Sequence, residues 1–263
     1  YLDSSRQVPP SAADAVRAAR ANGHQVFLCT GRSLAEIWPH FLEAGFDGVI
    51  SSGGGHVGYG DEVLLHHTIP TEALEHARSF LEEGGFDYIL ESNTGLYPSR
   101  GVRRRMAEIV HPDLSAAELD DLAASDAVIL KPLAETPDVL PPVNKIVVMG
   151  SDTPVDVIRA EFEGEFDVIA GTIPPYGPNM FELALPGIHK ASAIAALLEH
   201  AGIDREHSIA FGDASNDLEM IEYVAIGVAM GDAQPEVIAV ADLVTDSADE
   251  DGIARGFARL GLV

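Results

Sequence analysis

Residues 208–222 read Ser-Ile-Ala-Phe-Gly-Asp-Ala-Ser-Asn-Asp-Leu-Glu-Met-Ile-Glu, and the rest of the chain is organised around them. Residues 208–211 form a brief apolar run without polar alternation, the pattern of a strand covered on both faces in a parallel sheet. Gly212 lets the chain turn. Asp213, Asn216 and Asp217 then follow within a single turn at the carboxyl end of that strand, where open α/β sheets hold their ligands. Oxygen-only donors suit a hard cation, and Mg²⁺ takes one or two carboxylates together with water and substrate phosphate. The same residues also read as a helix cap, with Ser215 as N-cap and Asp217 in a first turn that favours negative charge. Taken alone, the stretch leaves both readings open.

Composition narrows the partners. The chain has 263 residues and 46% hydrophobic content, enough for a substantial core in one large domain or two modest ones. Forty-two acidic against sixteen basic residues give a formal charge of −26. That balance repels nucleic acid and anionic membrane surfaces, so neither is an expected partner. The single Cys29 rules out an internal disulfide and fits a reducing compartment. With no apolar run long enough to span a bilayer and no secretory signal pattern, the expected location is the cytoplasm.

Working outward from the acidic stretch, the chain alternates helix and strand at both ends. A helical period with Ser11 as cap covers 11–22, strand 25–30 ends in Thr30-Gly31-Arg32, and Ser33-Leu34-Ala35-Glu36 has the form of a capping box opening a helix to Ala44. Trp38 on that helix reads as core. Strand 46–51 leads into Gly53-Gly54-Gly55 and a hairpin through 57–65. From about Pro70 to Pro186 the rhythm changes to helices 71–83, 103–110 and 115–124, one opened by Thr153-Pro154, and strands 88–91, 145–149, 166–170 and 180–185. After Pro186-Gly187 the βα rhythm resumes with helix 190–201, strand 208–211, helix 218–223, strand 225–229, helix 234–240, strand 242–245 and helix 249–260. The pattern predicts a discontinuous α/β core of residues 1–69 and 187–263, interrupted by an α+β unit of residues 70–186.

Two further features bear on an anion. Thr30-Gly31-Arg32 at a strand end offers a hydroxyl and helix-start amides to a phosphate oxygen, or forms only a tight strand-to-helix turn. Lys190 opens a helix, where the helix dipole opposes a cation, which hints at an anion nearby; the alternative is that it points into solvent. His189 reads as a packing or surface histidine. A hydroxyl, a lysine and a diacid loop together make a phosphate-plus-metal constellation, yet no nucleophile is visible beside them.

The order of Thr30, a large insertion, Lys190 and then Gly212-Asp213-x-x-Asn216-Asp217 resembles the haloacid dehalogenase-like phosphatases, in the Cof-like sugar phosphatase branch with an α+β cap. The resemblance spans nearly the whole chain. It implies a Rossmann-like, doubly wound parallel-sheet core with an inserted cap, and Mg²⁺-dependent hydrolysis of a small phosphomonoester, a sugar phosphate or similar metabolite, through an aspartyl phosphate. Thr30, Gly31, Arg32, Lys190 and Asn216 would hold the phosphoryl group, Lys190 also neutralising its charge. Asp213 would ligate the metal, with Asp217 acting mainly through water or from behind. The family's first motif, Asp-x-Asp-Gly-Thr, is absent, and Tyr1-Leu2-Asp3-Ser4 resembles the residues that normally come after that motif, so nucleophile and general acid are expected upstream of Tyr1. Gly53 stands where relatives commonly carry Asn.

In the insertion, Arg100, Arg103, Arg104 and Arg105 either grip a second anionic group or form a solvated helix face with partners such as Glu108, the latter being the simpler reading. Glu91, Asn93, Tyr97, Tyr176 and Asn179 are candidates for sugar hydroxyls, and the 171–178 loop for a hinge. Rival readings are a phosphomutase, a phosphoacceptor or binding module, and an inactive relative. Oligomeric state is not readable.

Overall fold

The computed structural model describes residues 1–123, 133–150, 152–171 and 180–263. In chain order, α1 (Pro10–Ala21) leads to β1 (Phe27–Cys29), β2 (Gly48–Ser51) and the hairpin β3 (His56–Tyr59) and β4 (Glu62–His66). Next come α2 (Thr71–Glu83), β5 (Tyr88–Ser92), β6 (Gly95–Pro98), α3 (Val102–Val110), α4 (Ala116–Ala123), β7 (Val143–Val148), α5 (Val155–Glu161), β8 (Asp167–Ala170) and β9 (Phe181–Ala184). The chain closes with α6 (Lys190–Ala201), β10 (Ile209–Gly212), α7 (Leu218–Tyr223), β11 (Ile226–Ala229), α8 (Pro235–Val240), β12 (Leu243–Val244) and α9 (Gly252–Arg259). Two compact units result: Tyr1–Arg32, Ile37–His66 and Ile188–Val263 form the first, Ser33–Glu36 and His67–Gly187 the second.

The first unit is α/β. β1 and β2 run parallel, β3 and β4 extend them antiparallel, and β10, β11 and β12 make a separate parallel sheet. The doubly wound sheet expected from the sequence is thus present in two pieces. Ala12, Ala15 and Ala19 recur at helical spacing on α1, and this small-residue stripe packs with Met220, Val237 and Phe257 of α7, α8 and α9. On the other sheet, Ile50 and Val57 pack against Ala193 and Leu197 of α6. α6 has well-defined ends: His189 and Ser192 form a reciprocal capping box, and Gly202 stops the helix in the left-handed region at φ +65°.

The second unit is built on an antiparallel sheet in the order β6-β5-β7-β9-β8. One face buries Leu90, Ile146, Phe181 and Leu183 with Leu81 of α2 and Ile158 of α5. The other buries Ile89, Leu96 and Val147 with Met106 of α3 and Leu119 of α4. Lys145, nearly buried, lies 2.9 Å from Glu182 and 3.5 Å from the fully buried Glu91.

Two expectations are corrected here. The helix from Ser33 to Ala44 does not form; two 3₁₀ turns, Leu34–Glu36 and Pro39–Leu42, take its place. Half of the local box is made: Glu36 accepts from the Ser33 amide and hydroxyl at 3.1 and 3.2 Å, while its own amide donates to the Ser33 carbonyl at 2.9 Å. Pro39, however, has no N–H to give and turns the preceding residue away from helical geometry. Trp38 is accordingly at φ −72°, ψ 147° and 46% exposed, stacked on Phe41 instead of buried in the core. Tyr176, Asn179 and residues 172–178 of the expected hinge loop lie outside the described residues.

Candidate phosphate and metal site

The phosphate- and metal-site candidates Thr30, Gly31, Arg32, Lys190, Asp213, Asn216 and Asp217 fall within the first unit, and the substrate-side candidates Glu91, Asn93 and Tyr97 within the second. At the end of β1, the Thr30 amide donates to the Ile50 carbonyl at 2.8 Å, and its hydroxyl oxygen accepts from the Arg32 amide at 3.1 Å. A Cβ at Gly31 would stand 3.1 Å from Nδ2 of Asn216, so the bare glycine brings this turn against the acidic loop. Arg32 does not converge with them through its side chain, whose guanidinium lies over the Phe41 ring at 5.6 Å.

The acidic loop is held by Asp217. Its Oδ2 accepts from the amides of Asp213 and Ala214 at 3.0 and 3.1 Å, while Oδ1 lies 2.5 Å from Nζ of Lys190. Lys190 Nζ also donates to Oδ1 of Asn216 at 3.1 Å. Lys190 is 5% exposed and Asp217 4%. A cation in the first turn of α6 is disfavoured by the helix dipole, and the buried carboxylate opposite offsets that cost. The capping and anion-site readings of the loop therefore merge in one side chain. Ser215 is not the cap; its amide is taken instead by Oε1 of Gln234 at 2.8 Å.

Asp213 is left as the open carboxylate. Among the described residues no side chain or amide donates to its carboxyl oxygens. Partial burial first, and the negative charge of Asp217 second, raise its carboxyl above the ordinary carboxylate range, although one edge of the residue stays exposed. A carboxylate crowded by a second acid and lacking a protein cation in contact is what a divalent ion relieves. No group of three or more His, Cys, Asp or Glu side chains converges among the described residues. Asp213 by itself supplies one carboxylate, and Mg²⁺ asks the protein for only one or two, the rest being water and substrate phosphate.

A cavity of about 830 Å³ adjoins these residues, lined by β1 on one side and β10 on the other, with Thr30, Lys190 and Asp213 at its polar end. Among the described residues, no strand pairs with the free edge of β1 or of β10. The Tyr1 main-chain nitrogen is buried, with Asp213, Asp217 and Asp232 as its charged neighbours.

Sequence reasoning passed over three contributors. Gln234 braces the loop twice, its amide donating to the Asp213 carbonyl at 2.8 Å besides the Ser215 contact. His189, read as packing or surface, caps the helix that presents Lys190; its spacing to Ser192 is the signal that was available. Asp232 adds a third acid near Asp213 and carries no local signature. In the second unit Arg104 pairs with Glu108 and Asp120, and Arg105 with Asp87 and the Gly150 carbonyl, the partnered reading of that cluster. Tyr97 is buried beside Thr94.

Known proteins are similar to this chain over nearly its whole length. The Bacillus subtilis protein YkrA is 29% identical over 262 residues, covering 99% of this chain and 94% of its own. The phosphoglycolate phosphatase of Methanothermobacter thermautotrophicus is 28% identical over 259 residues, covering 98% and 92%. The crystal structure of a haloacid dehalogenase-like hydrolase from Bacteroides thetaiotaomicron shares the fold with a TM-score of 0.78 at 24% identity, over 98% of this chain and 95% of that one. The family model of the haloacid dehalogenase-like hydrolases matches residues 1–257. That match takes in all of the second unit and nearly all of the first, and the chain belongs to the haloacid dehalogenase-like hydrolase family.

Proposed function

We propose that the protein is a Mg²⁺-dependent cytoplasmic phosphatase acting on a small phosphomonoester, such as a sugar phosphate or phosphoglycolate, through an aspartyl phosphate. The observation that carries this reading is the clamp of Lys190 between Asn216 and Asp217 beside the open Asp213 carboxylate. The Lys190 ammonium is fixed by two acceptors and directed toward the end of β1, where a phosphoryl oxygen would receive it together with the Thr30 hydroxyl and the Gly31 and Arg32 amides. Asn216 orients the lysine and presents its amide group on the Gly31 side. Asp213 would hold Mg²⁺, which when bound lowers the charge on the phosphoryl oxygens. Asp217, with both oxygens engaged, would act from behind by fixing the loop and the lysine.

The cavity lined by β1 and β10 is where a nucleophilic carboxylate would face Lys190 and Thr30. An aspartate there would attack phosphorus, the alcohol leaving with a proton from a second acid, and water would then release phosphate. The test is phosphate release from phosphoglycolate, sugar phosphates and nucleotides by the wild-type protein, with Mg²⁺ and with chelator. Release that requires Mg²⁺ and no bisphosphate activator is the expected result. Turnover that appears only with a bisphosphate activator would make the protein a mutase, and no turnover of any ester would remove the phosphatase reading.

A further inference from the structure

The loop after β2 packs against the lysine helix, and its closest approach to that backbone among the glycines is at Gly54. Its φ is +111°, and a Cβ there would lie 2.4 Å from the carbonyl oxygen of His189, 2.7 Å from the carbonyl carbon and 3.2 Å from the Lys190 nitrogen. All three are backbone atoms, so no rotamer change clears the space. The helix start cannot give way locally either, because His189 and Ser192 hold each other in the capping box. Gly53 next to it provides a contrast: its φ is also positive, +65°, but nothing lies within 4 Å of its missing Cβ.

We infer that Gly54 is a positioning residue, whose bare backbone sets how closely the β2 loop approaches the start of α6 and thereby where Lys190 Nζ stands relative to Asn216 and Asp217. The identification of Lys190 as a phosphate ligand rests on the proposed phosphatase reading; the geometric dependence does not. A side chain at 54 must push the helix start away by a substantial fraction of an ångström. Misplacements of about 1 Å cost catalytic groups up to roughly 100-fold.

The experiment compares Gly53→Ala with Gly54→Ala, since both place a side chain at positive φ and only the second carries the collision. Inorganic phosphate binding is measured by calorimetry without metal, alongside the melting temperature. The expected result is a lower melting temperature for Gly54→Ala and, at a temperature where both variants are folded, phosphate affinity roughly 10-fold or more weaker in Gly54→Ala than in Gly53→Ala. Equal affinities overturn the inference. If the wild-type protein binds no phosphate, the phosphatase reading loses its support, and the crystal structure of Gly54→Ala decides the geometry instead. Lys190 Nζ displaced from Asn216 or Asp217 upholds the inference, and Nζ within hydrogen-bond distance of both overturns it.

Discussion

Lys190 and Asp217 form an ion pair with almost no solvent around it, and such a pair is costly to break from one side only. Lys190→Met leaves the Asp217 carboxylate with two amide donors but no cation. We expect a loss of about 3 kcal/mol in urea denaturation, and recovery of at least half of it when Asp217→Asn is added, because the uncompensated charge is then gone. An undiminished stability of Lys190→Met would mean the pair is not formed in solution. This pair also shows how far the sequence could be read. Gly-Asp-x-x-Asn-Asp after an apolar run located the site, but whether Asp217 caps the turn or binds a ligand could not be decided. The answer lies in which oxygen meets Lys190, and that contact spans 27 positions in the chain.

At the scale of elements, local rules succeeded where the pattern was uninterrupted and failed where a single residue overrode it. α6 runs from Lys190 to Ala201 as its period and its Gly202 stop indicate, whereas Pro39 cancels a helix that the Ser33–Glu36 spacing announces. Contacts between elements were out of reach, Gln234 above all: its place at the start of α8 says nothing of the 213–217 loop it braces. Gln234→Ala is expected to weaken Mg²⁺ affinity about 10-fold in titrations of activity, while Gln234→Glu keeps an acceptor for the Ser215 amide and stays nearer wild type. In the second unit, His76 on α2 sits between Glu165 at 2.7 Å and Glu161 at 3.1 Å, and those two hydrogen bonds raise its pKa. A folded pKa above the unfolded value of about 6.5 gives stability that is complete below that value and lost as pH rises through the folded one. The groups are 38–43% exposed, so the effect is limited to about 1 kcal/mol. The denaturation midpoint should fall as pH rises past neutrality, and His76→Gln should flatten that slope; an unchanged slope would exclude the pair as its origin.

On the scale of the whole molecule, the α/β class and the family were legible because βα alternation and motif order survive without any knowledge of contacts. That the first unit's sheet lies in two pieces around a cavity was not legible, since strand pairing between distant segments leaves no periodic trace. The site is where the account is most exposed, because it gives phosphate binding to Lys190 and Thr30 and metal binding to Asp213. That division of roles is tested most directly by Mg²⁺-dependent phosphate release from the best ester found, comparing the wild-type protein with Asp213→Ala under matched folding. The account predicts a loss of roughly 100-fold or more in kcat/KM that added Mg²⁺ does not restore; activity within a few-fold of wild type would contradict it.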